Sequence, residues 1–412
     1  MTHAADIVFN PASPPPPLHT SEPGSFARNT IAVRKPAIVE QVLADFPDFP
    51  PAIVAGLEQL RSELADDQPV QPLRTRAADG PAWAEAWEPH RGQSWLNIPW
   101  FFAEVFFYRR LLETTGYFGS DDPAVARWQG IDPFLPRKQA ELAEPAPWQV
   151  LRLALAHSAD NTADSFRALL HHAVWGNRVD LSYNQVAQDA GRQIAIEREQ
   201  ANLLVDDTEA VLAHLAPTGG RVDFIADNSG TELLLDLALA DFLLRFGWSS
   251  QITLHVKFHP TYVSDATPTD VDWTIGLIQQ RAEADLAALG QRLASYRQSG
   301  RLPLHDDIFW NGPQFFWELP PHLRRQLAQA RLVVVKGDAN YRRLLGDHRW
   351  PAAALAQNVI NYFPAPLVSL RTMKSDPVIG LQPGQAEALD GVDPAWRVNG
   401  KRGLIQAVLA GQ

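Results

Sequence analysis

The sequence has no cysteine. That excludes disulfides, thiolate metal ligands and a cysteine nucleophile, and leaves every redox compartment open. Positive charge is also scarce. Lys and Arg number 36 against 47 Asp and Glu, a formal net charge of −11, and no stretch gathers the basic residues into a patch. A phosphate backbone would be repelled by that balance, so no nucleic-acid partner is expected. Long apolar runs are missing too. The best, LLLDLALADFLL at 233–244, is broken by acids and falls short of the roughly 18 residues a bilayer span needs. The opening MTHAADIVFNPASPPPPLHT lacks the basic-then-apolar order of a secretory signal. The expectation is a cytoplasmic protein with no membrane role. No internal repeat is evident.

What is present is material for a sizeable core: 412 residues, 46% hydrophobic, with 33 Pro and 13 Trp, enough for one large domain with an appended part, or for two. Residues 1–35 read as an arm held extended by the Pro14 to Pro17 tract. Residues 36–215 read as mainly helical. PAIVEQVLADF, WLNIPWFFAEVFFYRRLLETT, WQVLRLALAHSADNTADSFRALLHHAVWGN and the run through QANLLVDDTEAVLAHLA all return apolar residues at three and four positions. No strand is expected there. After Gly219-Gly220, short β-rich runs alternate with helical ones: RVDFIAD at 221–227, QITLHVKF at 251–258, RLVVVKGD at 331–338 and PLVSLRT at 366–372. Residues 216–412 therefore read as an α/β unit, and the almost wholly apolar LVVVK suits a parallel strand covered on both faces. TELLLDLALADFLLRFG, with its Gly just past the end, completes a βαβ unit between the first two runs.

Each predicted strand ends in polar residues. Asp227-Asn228 follow the first, His259 and then Asp265 the second, Lys336-Gly337-Asp338 the third, and Arg371-Thr372 with Lys374 the fourth. The carboxyl ends of strands in an open α/β sheet line one crevice, so these residues are expected to converge there. Carboxylate and amide oxygens beside Lys and Arg suit phosphoryl transfer, where a hard divalent ion and the basic side chains share the phosphate charge. An oxygen-only donor set favours Mg²⁺, Mn²⁺ or a similar ion over structural zinc. Plainer roles stay open at this point. Asp227, Asn228 and Glu232 suit a helix N-terminus, Asp265 within SDAT a turn, Arg371 and Lys374 a solvated loop, and His255 and His259 satisfied histidines rather than ligands.

At these same positions the sequence resembles the damage-control phosphatase family, whose metal-binding domain is shared with protein-glutamate methyltransferase-like proteins. The resemblance rests on WLNIPWFFAEVFFYRRL, DPF at 132–134, LLHHAVWGNRVDLS, DFIADNSGTELLLDLALADFLL, KFHPTYVSDAT, FWNGPQFFWELP, VVVKGDANYRRLLGD and SLRTMKSD, in order along the chain. Arg371-Thr372-Met373-Lys374 is similar to the RTxK mark of a sugar-phosphate subfamily. The resemblance implies a three-layer α/β/α sandwich with a mostly parallel sheet and an N-terminal helical region. It also implies a phosphatase dependent on a divalent metal (Mn, Ni, Co or Mg) and acting on hexose phosphates such as fructose 1-phosphate. Asp227, Asn228 and Asp265 would be the metal ligands and catalytic residues. Glu232, Lys336, Gly337, Asp338, Ala339, Asn340, Arg371, Thr372 and Lys374 would contact substrate. Glu104, Arg109, Asn177, Arg178 and Asp180 could line the cleft from the helical side. Two rivals stand beside this reading: an S-adenosylmethionine-dependent protein-glutamate methyltransferase and a non-catalytic sugar-phosphate binding protein. The first is weakened by ADNSGTE standing where a G-x-G-x-x-G nucleotide loop would be. Nucleophile and oligomeric state are left open.

Overall fold

A computed structural model describes residues 8–11, 13–74, 77–176, 201–215 and 219–409. Its centre is a seven-stranded sheet: β1 Leu203–Asp206, β2 Arg221–Ile225, β3 Gln251–Lys257, β4 Leu304–Asp307, β5 Leu332–Lys336, β6 Leu367–Thr372 and β7 Gly403–Val408. The spatial order is β1-β7-β6-β5-β2-β3-β4. All neighbours run parallel except β6 and β7. The four strands expected from sequence are β2, β3, β5 and β6. Strand β1 corrects the expectation of no strand before residue 215. LLVD pairs with β7, and among the described residues of that run the helical part is Thr208–Leu215.

The apolar character of β5 has a direct cause. Leu332 and Val334 enter one core with Val222 and Phe224 of β2, while Val333 and Val335 enter another with Ile225. Side chains alternate across the sheet, and both faces are covered. One cover includes helices Pro145–His157, Ala163–Trp175 and Thr231–Arg245. The last is buried from Thr231 to Leu244, as its nearly all-round apolarity requires. The other cover includes helix Gly337–Leu345. The chain is thus a three-layer α/β/α sandwich. A separate apolar cluster joins Leu18 to Phe134 and includes helix Trp100–Thr114. The proline tract lies extended along residues 347–349, with Leu18 N donating to Asp347 O at 2.9 Å and Arg349 N to Pro16 O at 2.9 Å. Among the described residues, no helix is long and apolar enough to cross a membrane.

From β2 the chain adds β3 and β4 on one side, then β5, β6 and β7 on the other. The loops leaving β2 and β5 therefore part at a topological switch point, where open α/β sheets open a crevice.

Candidate active site

The site is built at that switch point. Asp227 is buried two residues beyond β2, and Asn228 forms an isolated antiparallel bridge with Asp265, beyond β3. Asn228 Nδ2 donates to Asp227 Oδ2 and to Glu232 Oε2, each at 2.9 Å, and its Oδ1 accepts from Ser264 Oγ. Gly337 closes the other side. Its φ is +79°, and a Cβ there would stand 1.9 Å from Asp227 Oδ2, so neither the backbone nor the contact admits a side chain. Asn340 Nδ2 ties the strand ends together, donating to Ala226 O at 3.0 Å and Lys336 O at 2.9 Å.

Electrostatically the site is short of positive charge. Asp227, Glu232, Asp236 and Asp265 are all buried, and so are the ammonium groups of Lys257 and Lys336. Burial, then the Asp265 and Glu232 charges, push the Asp227 carboxyl well above its ordinary range against Lys257 and Lys374. Burial also pushes Asp265 up, to about 6, although Lys257 and Lys138 pull it down. Lys257 Nζ stands 3.2 Å from Asp265 Oδ2, an ion-pair contact without hydrogen-bond alignment. Asp227 Oδ1 is buried with no hydrogen-bond partner among the described residues. Such an orphaned acceptor is costly unless something else meets it.

The residues expected to touch substrate divide into two groups. Asp338, Ala339 and Lys374 are partly exposed, as is Asn228, and Asp338 Oδ1 accepts from Lys374 N at 3.0 Å. Burial raises the Asp338 carboxyl, but Arg371 and Arg342 outweigh it and hold it below its ordinary value. The second group faces inward. Lys336, read as a phosphate-holding cation, has a fully buried side chain that pairs with Asp236 at 2.9 Å and Glu232 at 3.4 Å and donates to Ala173 O. Arg371, also fully buried, donates to Asp338 at 2.7 Å and to Ser375 and Pro377. Thr372 Oγ1 donates to Val174 O at 2.8 Å. Glu104 and Arg109 belong to internal ion pairs with Lys35 and Arg342, and with Asp79, respectively. Asn177, Arg178 and Asp180 lie outside the described residues.

Two participants were not singled out from sequence. Lys257 was findable, because it too is a lysine at the end of a predicted strand, as Lys336 is. Asp236 was not, since an acid within LLLDLALADFLL carries no mark of its partner. No group of three or more His, Asp or Glu side chains suited to a metal ion occurs among the described residues. The donor set on offer is two carboxylates and one amide, with Glu232 adjacent. All are oxygen donors of the kind hard divalent cations take, and the orphaned Asp227 oxygen fits such an ion.

Fold and site together define an α/β/α protein with buried carboxylates gathered at the switch point of its sheet. The model of the damage-control phosphatase ARMT1-like domain matches residues 30–389, so the chain belongs to that family. Similar relatives are the proteins named damage-control phosphatase ARMT1 from Danio rerio, 32% identical with 95% of this chain and 97% of the relative covered, and from Mus musculus, 31% identical with 96% and 99% covered. The human protein of that name is 30% identical with 95% and 98% covered. A solved structure of a DUF89 family protein from Pyrococcus horikoshii aligns over 92% of this chain and 96% of its own, at 13% identity and a TM-score of 0.48.

Proposed function

We propose that this protein is a divalent-metal-dependent phosphatase of small phosphorylated metabolites, with hexose phosphates such as fructose 1-phosphate as its substrate class. The observation that carries the reading is the buried pair Asp227 and Asp265, raised toward protonation and left with an unmet oxygen at the mouth of the sheet. A cation there would relieve both. Asp227, Asn228 and Asp265 would hold it. Turning the Asn228 amide over brings Oδ1 to the carboxylate side and leaves Nδ2 to donate to the Ser264 hydroxyl, which accepts as readily as it donates. Bound there, Mn²⁺, Co²⁺, Ni²⁺ or Mg²⁺ would supply Lewis-acid neutralisation of phosphate charge.

The chain's own residues supply the rest. Lys374, partly exposed and near enough to act on the Asp227 charge, holds phosphate oxygens, a contribution typically worth a few kcal/mol in the transition state. Asp338 and Ala339 flank the sugar. Lys336, Gly337, Asn340, Arg371 and Thr372 fix the wall behind them, Ser264 orients the turned Asn228 amide, and Glu232 adds its negative charge on the cation side. Relatives carrying the phosphatase name over nearly the whole chain support the reading. Phosphate release from a panel of sugar phosphates, crossed with the four metals and run beside methyl transfer from a labelled S-adenosylmethionine, tests it. Metal-dependent release from hexose phosphates is expected. Methyl transfer without phosphate release, or binding without turnover, would sink it.

A further inference from the structure

The two loops that carry Asp227-Asn228 and Asp265 come from different strands and meet along a short backbone seam, where Asn228 bridges Asp265, Ala266 N donates to Asp227 O at 2.8 Å and Ser229 N donates to Ser264 O at 2.7 Å. One helix outside the sheet reaches both. Helix Leu135–Ala143 presents Lys138 and Glu141 at i and i+3, a spacing that sets two side chains on one face. The Lys138 ammonium is fully buried and donates to the backbone carbonyl of Asp265 at 3.1 Å. It also pairs with Asp270 at 2.7 Å and Asp132 at 2.9 Å. Asp270 in turn closes a capping box with Thr267 at the start of helix Pro268–Gln279. Burial works against the Lys138 charge, yet Asp132 and Asp270 outweigh it and hold its pKa above the ordinary value, so the cation persists. One turn on, Glu141 Oε1 accepts from Thr231 N at 2.8 Å and Thr231 Oγ1 at 2.7 Å. It thereby caps helix Thr231–Arg245, whose Ncap Gly230 has no side chain to do so. The fit is close: a Cβ on Gly230 would stand 2.3 Å from the Glu141 carboxylate.

We infer that Lys138 and Glu141 are positioning residues that clamp the joined 227–232 and 264–270 loops from outside the sheet and so hold the metal ligands in register. The inference rests on the metal-site reading above. Asp132 enters through the same contacts, so the DPF tripeptide is part of the clamp; Phe134 N donates to Asp132 Oδ1 at 2.8 Å. Groups that hold metal ligands from behind typically change metal affinity by about 10–100-fold when lost. A residue that merely stabilises the fold lowers the melting temperature and leaves that affinity alone.

Mn²⁺ titration of the full chain, followed by the EPR signal of free Mn²⁺, separates the cases. Lys138→Met and Glu141→Ala are each expected to weaken Mn²⁺ binding by roughly tenfold or more, with Lys138→Arg closer to the unsubstituted protein. Asp265→Asn is the control. If Asp265→Asn leaves Mn²⁺ binding unchanged, the metal site itself is misassigned and the clamp falls with it. If Asp265→Asn weakens binding while the clamp variants bind as tightly as the unsubstituted protein, the clamp alone is overturned. Should Lys138→Met fail to fold, Glu141→Ala decides, because its side chain is partly exposed and its loss strands no buried cation.

Discussion

Asp236 shows how the site's charge imbalance reaches into the core. Lys336 serves it and Glu232 together, and one ammonium cannot compensate two buried carboxylates. Burial pushes the Asp236 carboxyl up, to about 7, although Lys336 pulls it down. The folded state therefore holds a proton that the unfolded chain, with an ordinary Asp value near ~3.9, has released. Stability from this group is full below about pH 4 and is lost as pH rises through about 7. Urea unfolding of chelator-treated protein between pH 4.5 and 7.5 is expected to give falling stability, and Asp236→Asn is expected to flatten that slope. An unchanged slope in the variant would mean that the charge is met elsewhere. Lys336 itself marks a limit of reading residues from sequence. A lysine ending an apolar strand announces that its charge has a use, but the direction it faces depends on which acids the next helix presents. Lys257, which also stands at a strand end, faces Asp265.

At the scale of elements, β5 was legible because burial on both faces leaves no polar position before Lys336, and β2, β3 and β6 were legible as short β-rich runs although Asp223, Thr253, His255, Ser369 and Arg371 are buried within them. Strands β1 and β4 lie at the sheet's two edges and are four residues long. LHDD carries one apolar residue, and LLVD merges into a helical period, so neither could be told apart by pattern. The β5 exit was legible as a functional turn, but the reason for Gly337 is spatial. Gly337→Ala combines a positive-φ cost of about 1–2 kcal/mol with direct displacement of Asp227. Turnover is expected to fall by roughly 100-fold, the scale of a 1 Å misplacement. Gly300→Ala, at φ +72° with open space around it, is expected to lose stability alone. Equal activity in the two variants would contradict the close approach.

Across the whole molecule, the N-terminal helical cluster and the sheet are joined through buried charge. Glu104 takes Lys35 at 2.7 Å on one side and Arg342 on the other, and Arg342 also pairs with Asp347 at 2.8 Å. Although burial opposes the charge, Lys35 and Arg342 together hold Glu104 down, at about 2. Removing one member of such a network leaves the others buried and uncompensated, so Glu104→Ala is expected to cost about 3–5 kcal/mol in unfolding free energy. A loss under 1 kcal/mol would show that the two parts do not depend on this junction. The family resemblance was legible along most of the chain, yet it could not show that helix Leu135–Ala143 reaches both ligand loops, because those contacts join residues some 90 to 130 positions apart. The proposed function turns on one cation held by Asp227, Asn228 and Asp265. The decisive measurement is the anomalous difference map of crystals grown with Mn²⁺. A peak within coordination distance of all three side chains is predicted. A peak elsewhere, or none while hydrolysis continues in the presence of chelator, would contradict it.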